Sequence, residues 1–200
     1  PPFQRRPGTP TTIFPAYFNG KTKPPVIVAG VEAWHYYGFN LEGEKVLSRE
    51  VHHSATVGVA GDFDGDGKDE FFAGVEYAVH QIFDSKGKRL LRSTTSPWDN
   101  AAVFGAIPAN GPKRVFSARR DGRLYAESPS FTGSKSWSVR LGGPAYGLVF
   151  IQDKIAAATI NGYITIVNGQ GKATDSIKLP APLTALVAYD NYLYAPGLDG

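Results

Sequence analysis

The chain has 200 residues, including 23 Gly, 15 Pro and no Cys, and its formal net charge is +3. Without Cys it has neither disulfides nor thiolate metal ligands, and no run approaches the roughly 18 apolar residues of a membrane span. Its basic residues are scattered rather than clustered, so we expect no nucleic-acid partner. Short β-branched and aromatic runs between Gly- and Pro-rich turns predict an all-β protein long enough to bury a core.

The first ten residues, 1–10, carry no strand pattern and are predicted to be a linker. Because the chain starts at Pro1, with neither Met nor a signal segment, we expect a processed product or a piece of a longer protein. From position 11 onward, short strand patterns alternate with turns. The loop after the second pattern holds Trp34, His35 and Tyr36, and the pair His52-His53 follows the fourth.

Three aspartates alternate with other residues in the next loop: Asp62, Asp64 and Asp66. Calcium needs six or more oxygen ligands at about 2.3 to 2.6 Å, which alternate carboxylates, a main-chain carbonyl and a closing acid can supply in a tight turn. The expected ligands are Asp62, Asp64, Asp66, the Lys68 carbonyl and Glu70. An EF-hand would also need a Glu at position 12 and a following helix, whereas this loop runs into a short apolar strand pattern. The sequence therefore predicts calcium bound in a β-turn.

A repeat of about forty residues organises the chain. The segment Ala29-Gly30-Val31-Glu32 recurs 44 residues later as Ala73-Gly74-Val75-Glu76. The first copy lacks the carboxylates of the acidic turn, so we expect no calcium there. The copies are predicted to span approximately 11–53, 54–97, 98–143 and 144–180, with an incomplete copy over 181–200.

Each copy contains four strand patterns, of which the last is charged and the others are mostly apolar. This period, the strand count and the Asp-Gly or Asn-Gly turns predict blades of a β-propeller. The alternative is a β-sandwich in which the similarity between copies is accidental. Since a propeller typically closes with four to eight blades, we expect four complete four-stranded blades plus the start of a fifth, as part of a larger ring.

Two parts of the sequence resemble known families. The stretch from Gly61 to Gly74 resembles the FG-GAP or VCBS-type repeat of calcium-binding extracellular propellers. That resemblance implies bound calcium and a secreted, periplasmic or cell-surface location. Glu70 departs from the family pattern, which usually has Asp at the closing position, but it still offers an oxygen. Residues 161–164 and 194–200 resemble quinoprotein-type repeats, without any cofactor motif.

All four histidines fall in loops and links that we expect on one face of adjacent blades. Rings that stack on a sugar, guanidinium groups that bind a carboxylate and imidazoles that move a proton together suit a site for an acidic sugar. The candidate catalytic residues are His35, His53, His80 and Arg119. The candidate ligand-binding residues are Trp34, Tyr36, Tyr77, Trp98 and Arg120.

Simpler roles stay open for each of these residues. The aromatic rings could pack between blades, Arg119 and Arg120 could form a solvated rim, and each histidine could be an ordinary turn residue. His52 and His53 could also join His35 or His80 in a zinc site.

The sequence favours a calcium-stabilised propeller that binds an acidic polysaccharide. A first alternative is a polysaccharide lyase, since the His, Tyr and Arg set resembles that of propeller-type lyases. In that scheme His35 or His53 would abstract the proton next to a uronate carboxylate, and Arg119 would stabilise the resulting charge. A second alternative, a module that adheres to a cell-surface protein, follows from the FG-GAP resemblance. The sequence decides neither whether the protein is an enzyme nor its oligomeric state.

Overall fold

The computed structural model describes residues 8–77, 79–93, 98–128 and 135–198, and within these ranges every regular element is a β-strand. The predicted all-β class is therefore confirmed. The chain divides into two compact units, Pro1–Asp99 and Asn100–Gly200. Of the predicted linker, residues 1–7 lie outside the described ranges, and its last residue, Pro10, begins the first strand.

The first unit contains two antiparallel four-stranded sheets, each of which follows the chain from one edge to the other. The strands of the first sheet are β1 (Pro10–Ala16), β2 (Val26–Val31), β3 (His35–Phe39) and β4 (Lys45–Glu50). Those of the second are β5 (Ala55–Gly61), β6 (Glu70–Val75), β7 (Val79–Phe83) and β8 (Arg89–Ser93). The first residues of β2 and β6 are 44 positions apart, and so are those of β3 and β7, in agreement with the sequence repeat.

The second unit repeats this arrangement in two further four-stranded sheets and ends in a two-stranded one. The first of these sheets contains β9 (Asp99–Ala106), β10 (Lys113–Arg119), β11 (Arg123–Glu127) and β12 (Lys135–Arg140). The next contains β13 (Ala145–Ile151), β14 (Lys154–Thr159), β15 (Tyr163–Asn168) and β16 (Ala173–Lys178). The last pairs β17 (Val187–Tyr189) with β18 (Tyr192–Tyr194). The predicted four complete sheets and the start of a fifth are thus present.

The core of the first unit is built around Phe71 in β6. Its ring lies 5.1 Å from Phe83, 5.7 Å from Tyr36 and 6.2 Å from Phe14, measured between centroids. All of β6 is buried, which explains why its sequence is a continuous apolar run rather than an alternating one. Close packing of the two sheets also requires Gly58, because an added Cβ would lie 2.1 Å from the Phe14 ring.

In the second unit, two clusters of apolar side chains form the core. One of them includes Phe116, Leu124 and Ile155, and the other includes Ala158 and Leu183. By contrast, every residue of the outermost strand β16 is exposed. The charged fourth strand expected from the sequence therefore corresponds to a solvated outer edge.

The strand order of the second sheet separates two loop groups. The loop 62–69 joins β5 to β6, so it lies where β6 begins. The link 51–54 and the loop after Val75 lie at the other end, because Ala55 at the start of β5 pairs with Val75 at the end of β6. A six-residue strand spans about 20 Å, which is the approximate separation of the two ends.

Candidate ligand-binding site

Four rings of the first unit form a continuous row that we call the aromatic platform: Trp34, His53, Tyr77 and Trp98. The His53 ring lies 5.6 Å from Trp34 and 4.7 Å from Tyr77. Tyr77 in turn lies 5.5 Å from Trp98, with the two ring planes at 73°. Tilted and edge-to-face contacts are favourable for aromatic rings, so the four rings hold one another in place. Tyr77 remains 63% exposed and Trp34 39%, which leaves the row open to a ligand.

The two exposed rings of the platform stand on left-handed backbone. The φ angle is 65° at Trp34 and 61° at Tyr77, and both residues lie in a loop between the second and third strands of a sheet. This conformation costs of order 1 to 3 kcal/mol for a bulky residue and persists only where the surroundings enforce it. The N–H of Val51 donates to the Trp34 carbonyl over 2.8 Å, which fastens the loop to the link that carries His53. The backbone of the first unit therefore holds both exposed rings at fixed positions on its surface.

Tyr36, predicted to contact a ligand, lies instead in the core. Its side chain is 0% exposed, and its hydroxyl oxygen lies 2.8 Å from the carbonyl oxygens of both Val57 and Gly74, which share its one proton. Burial, and secondarily the charge of Asp99, raises the pKa of Tyr36 well above its usual range. The prediction for Tyr36 is wrong because successive residues of a strand face opposite ways, and residue type alone does not distinguish Tyr36 from its neighbour Tyr37.

The histidines occupy four different environments rather than one shared site. His53 belongs to the platform, whereas His80 is 2% exposed and its Nδ1 lies 2.8 Å from the Asp99 carboxylate. His35 is half-buried and stacks on Tyr37 with centroids 5.1 Å apart. His52 is exposed. Among the described residues, no group of three or more potential metal ligands includes a histidine, so the alternative zinc site is not formed.

A cleft of about 340 Å³ opens beside the platform, and we call it the side cleft. Trp34 belongs to both, so the two surfaces are continuous. The residues that line the side cleft are Trp34, Glu50, Val51, His52 and Arg89.

Arg119 and Arg120 lie in the second unit, at the end of β10 and in the turn after it. Arg119 is only 1% exposed, and its Nη2 donates to the Glu127 carboxylate over 2.8 Å. Its guanidinium also lies 3.9 Å from the centroid of the Tyr125 ring. These contacts occupy Arg119 inside its own unit, whereas Arg120 is exposed.

Burial raises the pKa of Tyr125, and the hydrogen bond that its hydroxyl donates to Asp121 over 2.6 Å raises it further. This hydroxyl therefore stays protonated at neutral pH, where it holds the turn after β10.

The acidic loop, residues 62–69 with Glu70 at the start of β6, brings three of the five predicted calcium ligands together. One carboxylate oxygen from each of Asp62, Asp64 and Glu70 lies within 4.8 Å of the others. Backbone donors already orient these side chains: the N–H of Gly65 donates to Asp62, that of Asp66 to Asp64 and that of Phe63 to Glu70. Three preoriented carboxylates fit a hard cation that takes oxygen ligands.

Asp66, a fourth predicted ligand, is not part of this carboxylate cluster, and the Lys68 carbonyl stays a prediction. The Asp66 carboxylate accepts the Lys68 N–H over 2.8 Å, and Nζ of Lys68 approaches the same carboxylate to 3.8 Å. Asp69, which was not among the predicted site residues, is buried and exchanges two hydrogen bonds with Tyr17. Tyr17 lies in the turn of the first copy that corresponds to this loop, so Asp69 joins the loops of the two sheets. The sequence signal for Asp69 was its position directly before Glu70, as an additional acid after the turn.

Glu70 has a raised pKa, chiefly because the carboxyl is buried, and the charges of Asp64 and Asp66 raise it further. The backbone hydrogen bond from Phe63 opposes this shift. A cation bound among the three carboxylates would remove the mutual repulsion that disfavours the ionised form.

Comparison with known proteins identifies the fold. No protein-family model matches the chain, and no curated protein matches it. One similar solved structure is BBS1N in complex with ARL6DN, soaked with lead, with a TM-score of 0.72 and 16% identity over 96% of this chain and 62% of that chain. The computationally designed Ika8 protein gives a TM-score of 0.69 and 18% identity over 88% of this chain and 53% of that one. The WD40 beta propeller domain of Doa1 gives a TM-score of 0.72 and 13% identity over 87% of this chain and 58% of that one.

These similarities and the successive four-stranded antiparallel sheets show that the chain has the β-propeller fold. The chain spans less than two thirds of the length of each of these solved chains. Identities of this size establish the fold and carry no function with them. Within the described ranges, no helix has the length and apolar character that crossing a membrane requires.

Proposed function

We propose that this β-propeller is a binding module whose aromatic platform holds an acidic polysaccharide. The observation that carries the proposal is the row of contacting rings, two of which are exposed on strained backbone. Aromatic faces stack on the apolar faces of sugar rings, and rings that are already fixed lose little conformational freedom when a ligand binds. An extended surface of this kind suits a polymer better than a small molecule, which would need an enclosed pocket.

The test is affinity electrophoresis in gels that contain a uronate polymer or a neutral polysaccharide. The double variant Trp34→Ala/Tyr77→Ala should lose roughly tenfold or more in affinity, because each stacking contact is worth about 1 to 3 kcal/mol in comparable nucleobase sites. Tyr192→Ala is the matched control, since Tyr192 is 65% exposed but lies in β18 of the second unit. Equal retardation of the double variant and the native chain would refute the proposal.

A protein ligand is the second candidate, and one observation favours it. The similar BBS1N structure was solved in complex with ARL6DN, so the fold can present a surface to a protein. Exposed Trp and Tyr side chains are also the residues that most often dominate protein interfaces. The adhesion alternative would be supported if no polysaccharide retarded the chain and a purified surface protein bound native chain but not Trp34→Ala/Tyr77→Ala.

The lyase alternative loses one of its expected residues. Arg119 was to stabilise the developing charge on the substrate, but its guanidinium is buried against Glu127 and Tyr125. We therefore expect binding without cleavage. Incubation with a uronate polymer should produce no rise in the ultraviolet absorbance of unsaturated sugar products, whereas such a rise would restore the lyase alternative.

We also propose that the acidic loop binds calcium, with Asp62, Asp64 and Glu70 as its protein ligands. The FG-GAP or VCBS-type resemblance of this stretch and the preoriented carboxylates support the proposal. The ion would hold β5 and β6 at the turn between them and supply no chemistry to the platform. Loops in extracellular modules bind calcium at about 10⁻⁴ to 10⁻³ M, which accords with a secreted, periplasmic or cell-surface protein.

Thermal unfolding with and without calcium tests this second proposal. At a concentration 100 times the dissociation constant, calcium should stabilise the native chain by about 2.7 kcal/mol. Asp64→Asn should abolish most of this gain while keeping the turn, because an amide oxygen can still accept the Asp66 N–H. Asp175→Asn, at an exposed strand position, is the control. A melting temperature that does not respond to calcium in the native chain would exclude the ion.

A further inference from the structure

We propose that the side cleft is a carboxylate subsite, in which Arg89 recognises the acid group of a uronic-acid sugar. This inference rests on the proposed function of the platform and identifies the residue that would select an acidic ligand. Nothing in the sequence around Arg89 predicts this role. Its place in the structure does, because Arg89 and Trp34 line the same cleft of about 340 Å³.

The side cleft extends the platform without a break. Trp34 contacts His53 on the platform and also lines the cleft. A polymer bound along the platform can therefore place its next sugar unit in the cleft. The link that carries both His52 and His53 is anchored by Val51, which is 2% exposed and donates its N–H to the Trp34 carbonyl. The cleft wall and the platform are therefore held by the same short segment.

Arg89 is an exposed cation with hydrogen-bonding capacity to spare. In the described part of the chain its guanidinium makes one long contact, 3.5 Å from Nη1 to the amide oxygen of the buried Gln81. This contact orients the side chain at one donor, while a guanidinium carries five donors in a planar fork. The fork matches a carboxylate in two parallel hydrogen bonds, which a Lys ammonium cannot reproduce.

Glu50 in the same cleft narrows the class of ligand. Its carboxylate disfavours a simple anion, because the negative charges would repel each other across a small space. A uronic acid instead combines hydroxyl donors, which a carboxylate accepts, with an acid group for Arg89. The apolar face of the same sugar can lie against the Trp34 ring. The combination of one ring, one acid and one guanidinium therefore fits a uronate better than a sulfate or a free phosphate.

The experiment compares Arg89→Gln with Arg92→Gln on the uronate, sulfated and neutral polymers. Arg92 is the matched control because it is exposed on the same strand but does not line the side cleft. Arg89→Gln should weaken binding of the uronate polymer about tenfold, leave the neutral polymer unchanged and reduce the salt dependence of uronate binding. Arg89→Lys should restore only part of the affinity, since it returns the charge without the fork.

Two results would overturn the subsite, and they differ from failure of the platform. If Arg89→Gln binds the uronate polymer as the native chain does while Trp34→Ala/Tyr77→Ala does not, the platform stands and the subsite falls. An equal loss on sulfated and uronate polymers would make Arg89 a general anion contact. If Trp34→Ala/Tyr77→Ala changes binding to none of the polymers, the proposed function itself fails.

Discussion

Replacing Tyr77 by Gly and by Ala distinguishes the free-energy cost of its left-handed backbone from the contribution of its ring to binding. Both changes remove the ring and its contacts with His53 and Trp98. They differ at the backbone, where φ is 61°, a conformation that Gly adopts freely and Ala does not. In an ordinary strand or helix Ala would be the more stable choice, so the expected order here is reversed.

The magnitude follows from two opposing terms. Left-handed backbone costs a residue with a Cβ about 1 to 2 kcal/mol, which Gly avoids. Against this, Gly has more freedom in the unfolded chain, which costs about 0.5 to 1 kcal/mol relative to Ala. From the middle of each range, we expect Tyr77→Gly to be about 0.75 kcal/mol more stable than Tyr77→Ala. For a chain of this size that is a difference of roughly 1 to 4 °C in melting temperature.

Thermal or urea unfolding of the two variants measures this difference, and affinity electrophoresis measures binding. Both variants should bind the uronate polymer more weakly than the native chain, whereas their stabilities should differ. Loss of the ring would thus weaken binding in both variants, whereas the backbone conformation would determine which variant is more stable. An Ala variant as stable as the Gly variant, or more so, would refute the claim that the platform strains its backbone.

Two further predictions concern the buried polar groups. Tyr36→Phe should destabilise the chain by about 1 to 3 kcal/mol, because two buried carbonyls lose their donor. The pKa of Tyr36 is raised in the folded chain, so above about pH 10 the unfolded chain alone releases this proton. The free energy of unfolding of the native chain should therefore fall above that pH, and the Phe variant should show a shallower fall. An unchanged alkaline slope would contradict this reasoning. Arg119→Met should cost about 3 kcal/mol because it leaves Glu127 without its cation, and adding Glu127→Gln should recover part of that loss in denaturant unfolding; a double variant no more stable than Arg119→Met would show that the ion pair is not the cause.

The fold was predictable because its signal is repeated. A segment such as Ala73-Gly74-Val75-Glu76 determines little alone, but its recurrence 44 residues from an earlier copy defines a unit of four strands. The turn residues that end each strand, such as Gly20 and Gly65 with φ angles of 82° and 86°, mark the same positions in both copies. Local chemistry and long-range similarity therefore agreed on one architecture.

The site was only partly predictable, because its residues are distinguished by properties that a sequence does not display. Tyr36 and Tyr77 are the same residue type, yet one is buried at 0% and the other is 63% exposed. Arg119 is buried because its side chain extends over the Tyr125 ring to Glu127, although the strand register pairs Glu127 with Val115. Nothing in the sequence context of Arg89 predicts that it lines the same cleft as Trp34.

The acidic loop and the platform act at opposite ends of one strand, and this has a testable consequence for how they are coupled. The acidic loop lies where β6 begins and Tyr77 follows its last residue, Val75, about 20 Å away. The strand between them is buried along its whole length, so we expect it to keep its position even when the carboxylates of the loop repel each other without a bound ion. Sites this far apart without shared partners perturb each other by no more than about 0.5 kcal/mol. Chelation of calcium should therefore lower the melting temperature while changing the affinity for the uronate polymer by no more than about twofold at a temperature well below unfolding. A larger loss of affinity in the chelated, still folded chain would mean that the ion shapes the platform through β6, and calcium would then belong to the binding site rather than to the scaffold alone.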